Sequence, residues 1–366
     1  MKELREILKK VSQFGTDETA ILATVVDVVG SGYRRAGARM LIDKNGFSIG
    51  TVSGGCLEAD VLERAKKVLE TDEPTVIIYD TTKDETSLFG LGMGCRGIVR
   101  VLLESIEKTS FIFKSFEKAI ENRETQVIAT LISPTGEAPI GARIFYNRDQ
   151  GFANQDLPDS FKSFSLEKDC QKIFGATENS TIKIYETEEE TAEFFIEKIN
   201  PPINLWLFGA GYDALALIKF AKEIGWRVSV IDHRPAFANA ERLPLADEII
   251  VLRAEDLPED FFEDENSVAV VMTHNYERDG EILPRLLKSK CLYIGALGPK
   301  KRAEKLLEES GEIFDNEQLA RLYAPIGLDI GADTPEEIAL AIVAEIRSVL
   351  ANRNGGFLRE RNRGIH

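Results

Sequence analysis

One hexapeptide constrains the fold of this chain more than any other stretch. Gly209-Ala210-Gly211-Tyr212-Asp213-Ala214 reads G-x-G-x-x-A and stands between an apolar run, Ile203 to Phe208, and a helical pattern, Asp213 to Gly225. The first glycine permits a tight turn, the second lets a pyrophosphate approach backbone N–H groups, and the small third residue lets helix and strand pack closely. Arg227 to Asp232 reads as the next strand. Its last residue, Asp232, falls about twenty residues after the turn, where an acidic group meets a ribose hydroxyl. A bare corner of this geometry with no nucleotide is the alternative, because fold does not fix ligand.

Strands at Glu248 to Leu252, Ser267 to Thr273 and Cys291 to Ile294 alternate with helices at Gly280 to Ser289 and Thr334 to Leu350. This predicts an α/β Rossmann-like domain with a mainly parallel sheet over residues 203–366. Asn200-Pro201-Pro202 marks its boundary. Residues 1–200 lack regular β-α alternation and read as an α+β domain. Leu4, Ile7, Leu8 and Val11 recur at helical spacing, Ala20 to Val29 is an apolar β-branched run, and Arg39 to Asp43 with Phe47 to Val52 forms a hairpin. Leu57, Val61, Leu62, Ala65, Val68 and Leu69 then make one helix face, followed by strands at Thr75 to Asp80 and Ile98 to Glu104. Residues 147–180 are polar and weakly periodic, and no internal repeat is legible.

With 45 Lys and Arg against 61 Asp and Glu, the 366-residue chain carries a formal charge of −16. That excludes a sequence-independent nucleic-acid binder, which needs cations against phosphates. Four cysteines, Cys56, Cys95, Cys170 and Cys291, are scattered without a C-x-x-C pair, and there are 3 histidines. Neither a disulfide framework nor a closed zinc site is expected. No apolar run approaches the roughly 20 residues that span a bilayer, and the charged N-terminus lacks the apolar core of a signal peptide. The expected location is the cytoplasm.

Cys56 is the most informative single residue. It follows Ser53-Gly54-Gly55 and precedes a strong helix, so its thiolate should be favoured by the helix N-terminus. Arg34, Arg35 and Arg39 lie in the preceding Gly-rich hairpin, Gly54 and Gly55 leave room for a bulky partner, and Cys95 sits beside Arg96 in a second Gly-rich loop. A soft thiolate suits a thiophilic metal, and arginines suit a phosphate. In the second domain Gly209, Gly211 and Asp232 form the nucleotide-type corner, and Arg234 is placed to reach a phosphate. His274 follows a strand end that lines the ligand crevice in such folds. Gly295-Ala296-Leu297-Gly298 opens a basic helix suited to an anion. Asp329 either binds a ligand or caps a turn.

The first domain reads Gly30-Ser31-Gly32-Tyr33-Arg34-Arg35-Ala36-Gly37-Ala38-Arg39-Met40 and Gly50-Thr51-Val52-Ser53-Gly54-Gly55-Cys56-Leu57-Glu58. The second carries Phe208-Gly209-Ala210-Gly211, Asp232-His233-Arg234-Pro235, Thr273-His274-Asn275 and Pro325-Ile326-Gly327-Leu328-Asp329-Ile330-Gly331. In these motifs the chain resembles the xanthine dehydrogenase accessory family of XdhC/CoxI type. The resemblance implies a chaperone that binds the molybdenum cofactor (molybdopterin), protects it during sulfuration and delivers it to a xanthine dehydrogenase-like molybdoenzyme. It implies Cys56 as the cofactor contact, with Glu58 in the same motif, and a separate cysteine desulfurase as sulfur donor; a homodimer is the expected assembly. The alternative from the residues is an NAD(P)-dependent oxidoreductase with His274 as acid or base.

Overall fold

The computed structural model describes residues 1–30, 33–80, 97–133, 138–157, 161, 165–186, 191–258, 261 and 264–361. The chain divides into one unit of Glu3–Pro201 and another of Pro202–His366 with Met1 and Lys2.

The first unit begins with α1 (Lys2–Val11), whose Leu4, Ile7, Leu8 and Val11 fall on one buried face. Next come β1 (Ala20–Gly30), β2 (Arg39–Ile42), β3 (Ser48–Gly50), α2 (Glu58–Thr71), β4 (Thr75–Asp80) and β5 (Gly97–Ile106). The remainder is α3 (Phe111–Ile120), β6 (Gln126–Leu131), β7 (Arg143–Asn147), β8 (Gly151–Gln155), α4 (Leu166–Gly175), β9 (Ser180–Glu186) and β10 (Thr191–Ile199). The two sheets, β3-β2-β1-β5-β4 and β8-β7-β6-β10-β9, have the same order and the same element sequence. The sequence pattern predicts no repeat, yet the unit is two copies of one motif, with Gly-Ala-Arg recurring at 37–39 and 141–143.

The register fixes the correspondence. Thr24 pairs with Arg39 and Leu22 with Glu104 in the first sheet, as Thr130 pairs with Arg143 and Ile128 with Glu197 in the second. Two buried ion pairs cross between the halves: Arg39 bonds Glu197 and Arg143 bonds Glu104. Arg100 and Glu193 occupy matching places on β5 and β10 and bond each other at 2.6 and 2.7 Å. A small buried cluster of Val26, Leu102, Ile132 and Phe195 consists of two matching pairs. In each half a strand tyrosine bonds a helix aspartate at 2.7 Å, Tyr79 to Asp60 and Tyr185 to Asp169. Leu57-Glu58-Ala59-Asp60 therefore matches Leu166-Glu167-Lys168-Asp169, and Cys56 matches Ser165. Residues 147–180, weakly periodic in sequence, hold β8, α4 and the start of β9.

The second unit contains β11 (Asn204–Phe208), α5 (Tyr212–Glu223), β12 (Arg227–Ile231), β13 (Glu248–Ile250), β14 (Ser267–Val271), α6 (Tyr276–Lys288) and β15 (Tyr293–Ala296). It ends with α7 (Lys300–Ser310), α8 (Asn316–Ala320), β16 (Leu322–Tyr323) and α9 (Pro335–Leu350). The strands form one sheet, β13-β12-β11-β14-β15-β16, parallel at every pairing. Successive β11 residues face opposite layers, Leu205 and Leu207 toward α5 and α9, Trp206 and Phe208 toward α6. The fold is Rossmann-like, and the strand order reverses between β11 and β14. Ligands in such sheets lie at the carboxyl ends flanking that point. Among the described residues no helix is long and apolar enough to cross a membrane.

Candidate functional site

In the first unit the Cys56 loop is shaped by one serine and one glutamate. The Ser53 hydroxyl accepts the N–H groups of Gly55 (3.2 Å) and Leu57 (3.1 Å) and donates to Glu58, whose other oxygen accepts the Ser53 N–H at 2.8 Å. Burial works against the Glu58 charge, but the bonds from the Ser53 hydroxyl and amide bring its pKa below the ordinary carboxylate value. Glu58 therefore closes the loop and supplies the negative charge at the start of α2. Gly55 has φ +109°, which side chains rarely adopt, and among the described residues nothing lies within 4 Å of a Cβ added there. Gly54 lies under the Tyr33 ring, about where a Cβ would be 3.1 Å from it. This contact joins the Gly-rich turn carrying Arg34 and Arg35 to the Cys56 loop. The Cys56 thiol is exposed, whereas those of Cys170 and Cys291 are buried. Burial pushes the Cys170 thiol up to about 12 and the Cys291 thiol above its usual value.

The three arginines grouped by the sequence have separate fates. Arg34 bonds Glu3 and Arg35 is exposed. Arg39 turns inward to Glu197 and the Gly37 carbonyl, with its guanidinium 4.6 Å from the centre of the Phe116 ring. Cys95 and Arg96 lie outside the described residues. Sequence reasoning named neither Ser53 nor Tyr33 as a site residue, although both stand within the motifs it quoted.

In the second unit Gly209 has φ +109° and sits so close to β14 that a Cβ would be 2.4 Å from the Met272 carbonyl oxygen. Asp232 is fully engaged. One oxygen accepts the Arg234 N–H and Nε at 2.9 Å each, and the other accepts the Ala210 N–H at 2.8 Å and Arg234 Nη2 at 2.7 Å. Burial raises its pKa, but these bonds outweigh burial and hold it at about 2. His274, with φ +57°, places Nε2 2.7 Å from the Asp213 carboxylate, which lies over Gly211 at the start of α5. Asp213 was missed in the sequence because its partner is distant in the chain. Gly295 is packed against Ile326, and Asp329 is exposed. Asp279, following His274, is buried between Thr273 Oγ1 at 2.5 Å and Arg302 at 2.7 Å.

Comparison with known proteins adds four findings. Residues 15–80 match the XdhC and CoxI family, and residues 205–346 match the XdhC Rossmann domain. A Bacillus subtilis (strain 168) protein named as a probable subunit of xanthine dehydrogenase is 35% identical over 90% of this chain and 92% of its own length. The molybdenum cofactor insertion chaperone PaoD of Escherichia coli (strain K12) is 22% identical over 90% of this chain and 83% of its own. A crystal structure described as a xanthine dehydrogenase from Bacillus halodurans superposes with a TM-score of 0.76 at 29% identity, covering 99% of this chain and 98% of that one.

Proposed function

Because the chain belongs to the XdhC and CoxI family, we propose that it is an accessory protein that binds the molybdenum cofactor and hands it to a xanthine dehydrogenase-like molybdoenzyme. The observation that carries this reading is the exposed Cys56 thiol on a loop braced by Ser53 and Glu58. The cofactor is cargo here. Its donor requirements fit the residues present: a soft sulfur for molybdenum, a Gly55 with nothing within 4 Å of its Cβ position among the described residues, and the Arg34–Arg35 turn, joined to the loop through Tyr33, for the pterin's phosphate. A chaperone named for cofactor insertion among the relatives supports the same assignment. The finer reading has the cargo protected while a cysteine desulfurase supplies terminal sulfur, with the chain acting as a homodimer in the cytoplasm.

The test is cofactor retention. The full chain is purified from a cofactor-producing host, and its molybdenum and pterin contents are measured. Wild type should retain both. Cys56→Ala should lose most of each while keeping its far-UV CD spectrum. Equal retention by the variant would remove Cys56 from the role.

A second reading, an NAD(P)-dependent oxidoreductase, draws on the His274–Asp213 contact at the strand-order reversal, where a carboxylate orients an imidazole as in general-base pairs. Oxidation of reduced nicotinamide with xanthine-like or aldehyde acceptors tests it, and absence of turnover above background would discard it.

A further inference from the structure

Beside the Gly209 turn lies a recess at the carboxyl ends of β11, β12 and β14, the place where this topology seats the adenosine half of a nucleotide. Ile231, Leu252 and Ile282 give it apolar walls, and His233, Arg234 and Arg278 give it a cationic rim. Two features distinguish it from an ordinary dinucleotide site. First, the acidic residue that would take a ribose diol is spent: Asp232 receives four hydrogen bonds, three from Arg234 and one from Ala210. Second, the start of α5, where a pyrophosphate would rest, already carries the Asp213 carboxylate, anchored by His274 at 2.7 Å.

On the other side one cation, Arg278, is not matched in this way. Arg234 neutralises Asp232. Arg278 is half-buried in the first turn of α6, and among the described residues its guanidinium has no hydrogen-bond or ion-pair partner. Arg253, paired with Glu255, also faces this region. The local field is positive enough that His233, already disfavoured as a cation by burial, is lowered further by Arg278 and only partly restored by Asp232. A half-buried guanidinium without a counter-ion at a recess rim suits an anion, in a chain whose formal charge is −16.

We propose that this recess binds a 2′-phosphoadenosine group, with the adenine between the apolar walls and the ribose-borne phosphate on Arg278. The neutralised Asp232 then does not repel the phosphate, which explains how an acidic residue coexists with such a ligand. The ligand class is an adenosine phosphorylated on its ribose rather than one with a free ribose diol. The site lies wholly within the second unit, so its test is separate from that of Cys56.

Calorimetric titration of the full chain with 2′,5′-ADP, 5′-AMP and inorganic phosphate tests the assignment. 2′,5′-ADP should bind at least about tenfold more tightly than 5′-AMP, the worth of one charge-assisted contact, and more tightly than inorganic phosphate. Arg278→Ala should abolish that preference with an unchanged far-UV CD spectrum, and Arg278→Lys should retain part of it. Equal affinity for the two nucleotides, no binding at millimolar ligand, or an unaltered preference in Arg278→Ala would overturn the proposal. Inorganic phosphate binding as tightly as 2′,5′-ADP would overturn the adenosine assignment.

Discussion

Removing Arg39 tests how the first unit holds together. The Arg39 and Glu197 side chains are 7% and 6% exposed, so Arg39→Met leaves a buried carboxylate without its bonded guanidinium, Arg143 remaining as a positive charge that does not bond it. Breaking such a pair from one side costs about 3–5 kcal/mol, whereas replacing both partners with apolar residues is often close to neutral. Arg39→Met should therefore cost about 3–5 kcal/mol, and Arg39→Met/Glu197→Leu should recover most of it. The matching site sharpens the test. Arg143 bonds both oxygens of Glu104 at 2.5 and 2.6 Å and reaches Thr130 at 3.2 Å. Nε of Arg39 and the Thr24 hydroxyl, in the corresponding places, have no hydrogen-bond partner among the described residues. Arg143→Met should thus exceed Arg39→Met by about 1 kcal/mol, one net hydrogen bond. Burial already raises the Glu197 pKa against the pull of Arg39. Losing Arg39 should raise it further, so the variant's deficit should shrink as the pH falls and Glu197 takes a proton. Urea unfolding followed by far-UV CD is the suitable assay, because Trp206 and Trp226 both lie in the second unit and do not report on the first. A loss below about 1 kcal/mol for Arg39→Met, or a double-mutant coupling near zero, would refute the reasoning.

Asp232, held at about 2 against an ordinary 3.8, should contribute about 1–2 kcal/mol after solvent screening. That stability is present above pH 3.8 and lost as the pH falls through the two values. Asp232→Asn should flatten this acid slope in Trp-monitored unfolding, and an unchanged slope would refute it. Gly55→Ala has space for its methyl but not the backbone conformation. It should destabilise the loop by about 1 kcal/mol or more and weaken cofactor retention; wild-type retention and stability would count against a required left-handed Gly55. Thr334 accepts the Glu337 N–H in a capping box at the start of α9. Thr334→Ala should cost about 1 kcal/mol, and a loss under about 0.3 kcal/mol by the same assay would contradict the cap.

The Rossmann-like unit was legible because its evidence is local. The Gly209 turn, the apolar run before it and Asp232 after it fall within one short stretch, and each has its own steric reason. The saturation of Asp232 was harder to foresee, although Arg234 stands two residues away. The duplication was hidden because its signature lies in pairs that meet only in three dimensions. Arg39 with Glu197 and Arg143 with Glu104 are remote in sequence, and the surviving local likeness is confined to short strings: Ala-Thr at 23–24 and 129–130, Gly-Ala-Arg at 37–39 and 141–143, and Leu-Glu-x-Asp at 57–60 and 166–169. Even so, the inward turn of Arg39 had a trace. It shares strand parity with Leu41, and both side chains are buried.

The twinned architecture of the first unit bears on evolution as much as on stability. In a dimer of identical chains, every substitution occurs twice, so one surface cannot acquire a reactive group while its twin stays inert. Joining the twins in one polypeptide lifts that restriction. Position 56 holds sulfur where position 165 holds oxygen, so a scaffold with nearly balanced halves presents a lopsided chemistry. The buried cross-links that preserve the balance are also what allow the two loops to drift apart without loosening the frame that carries them.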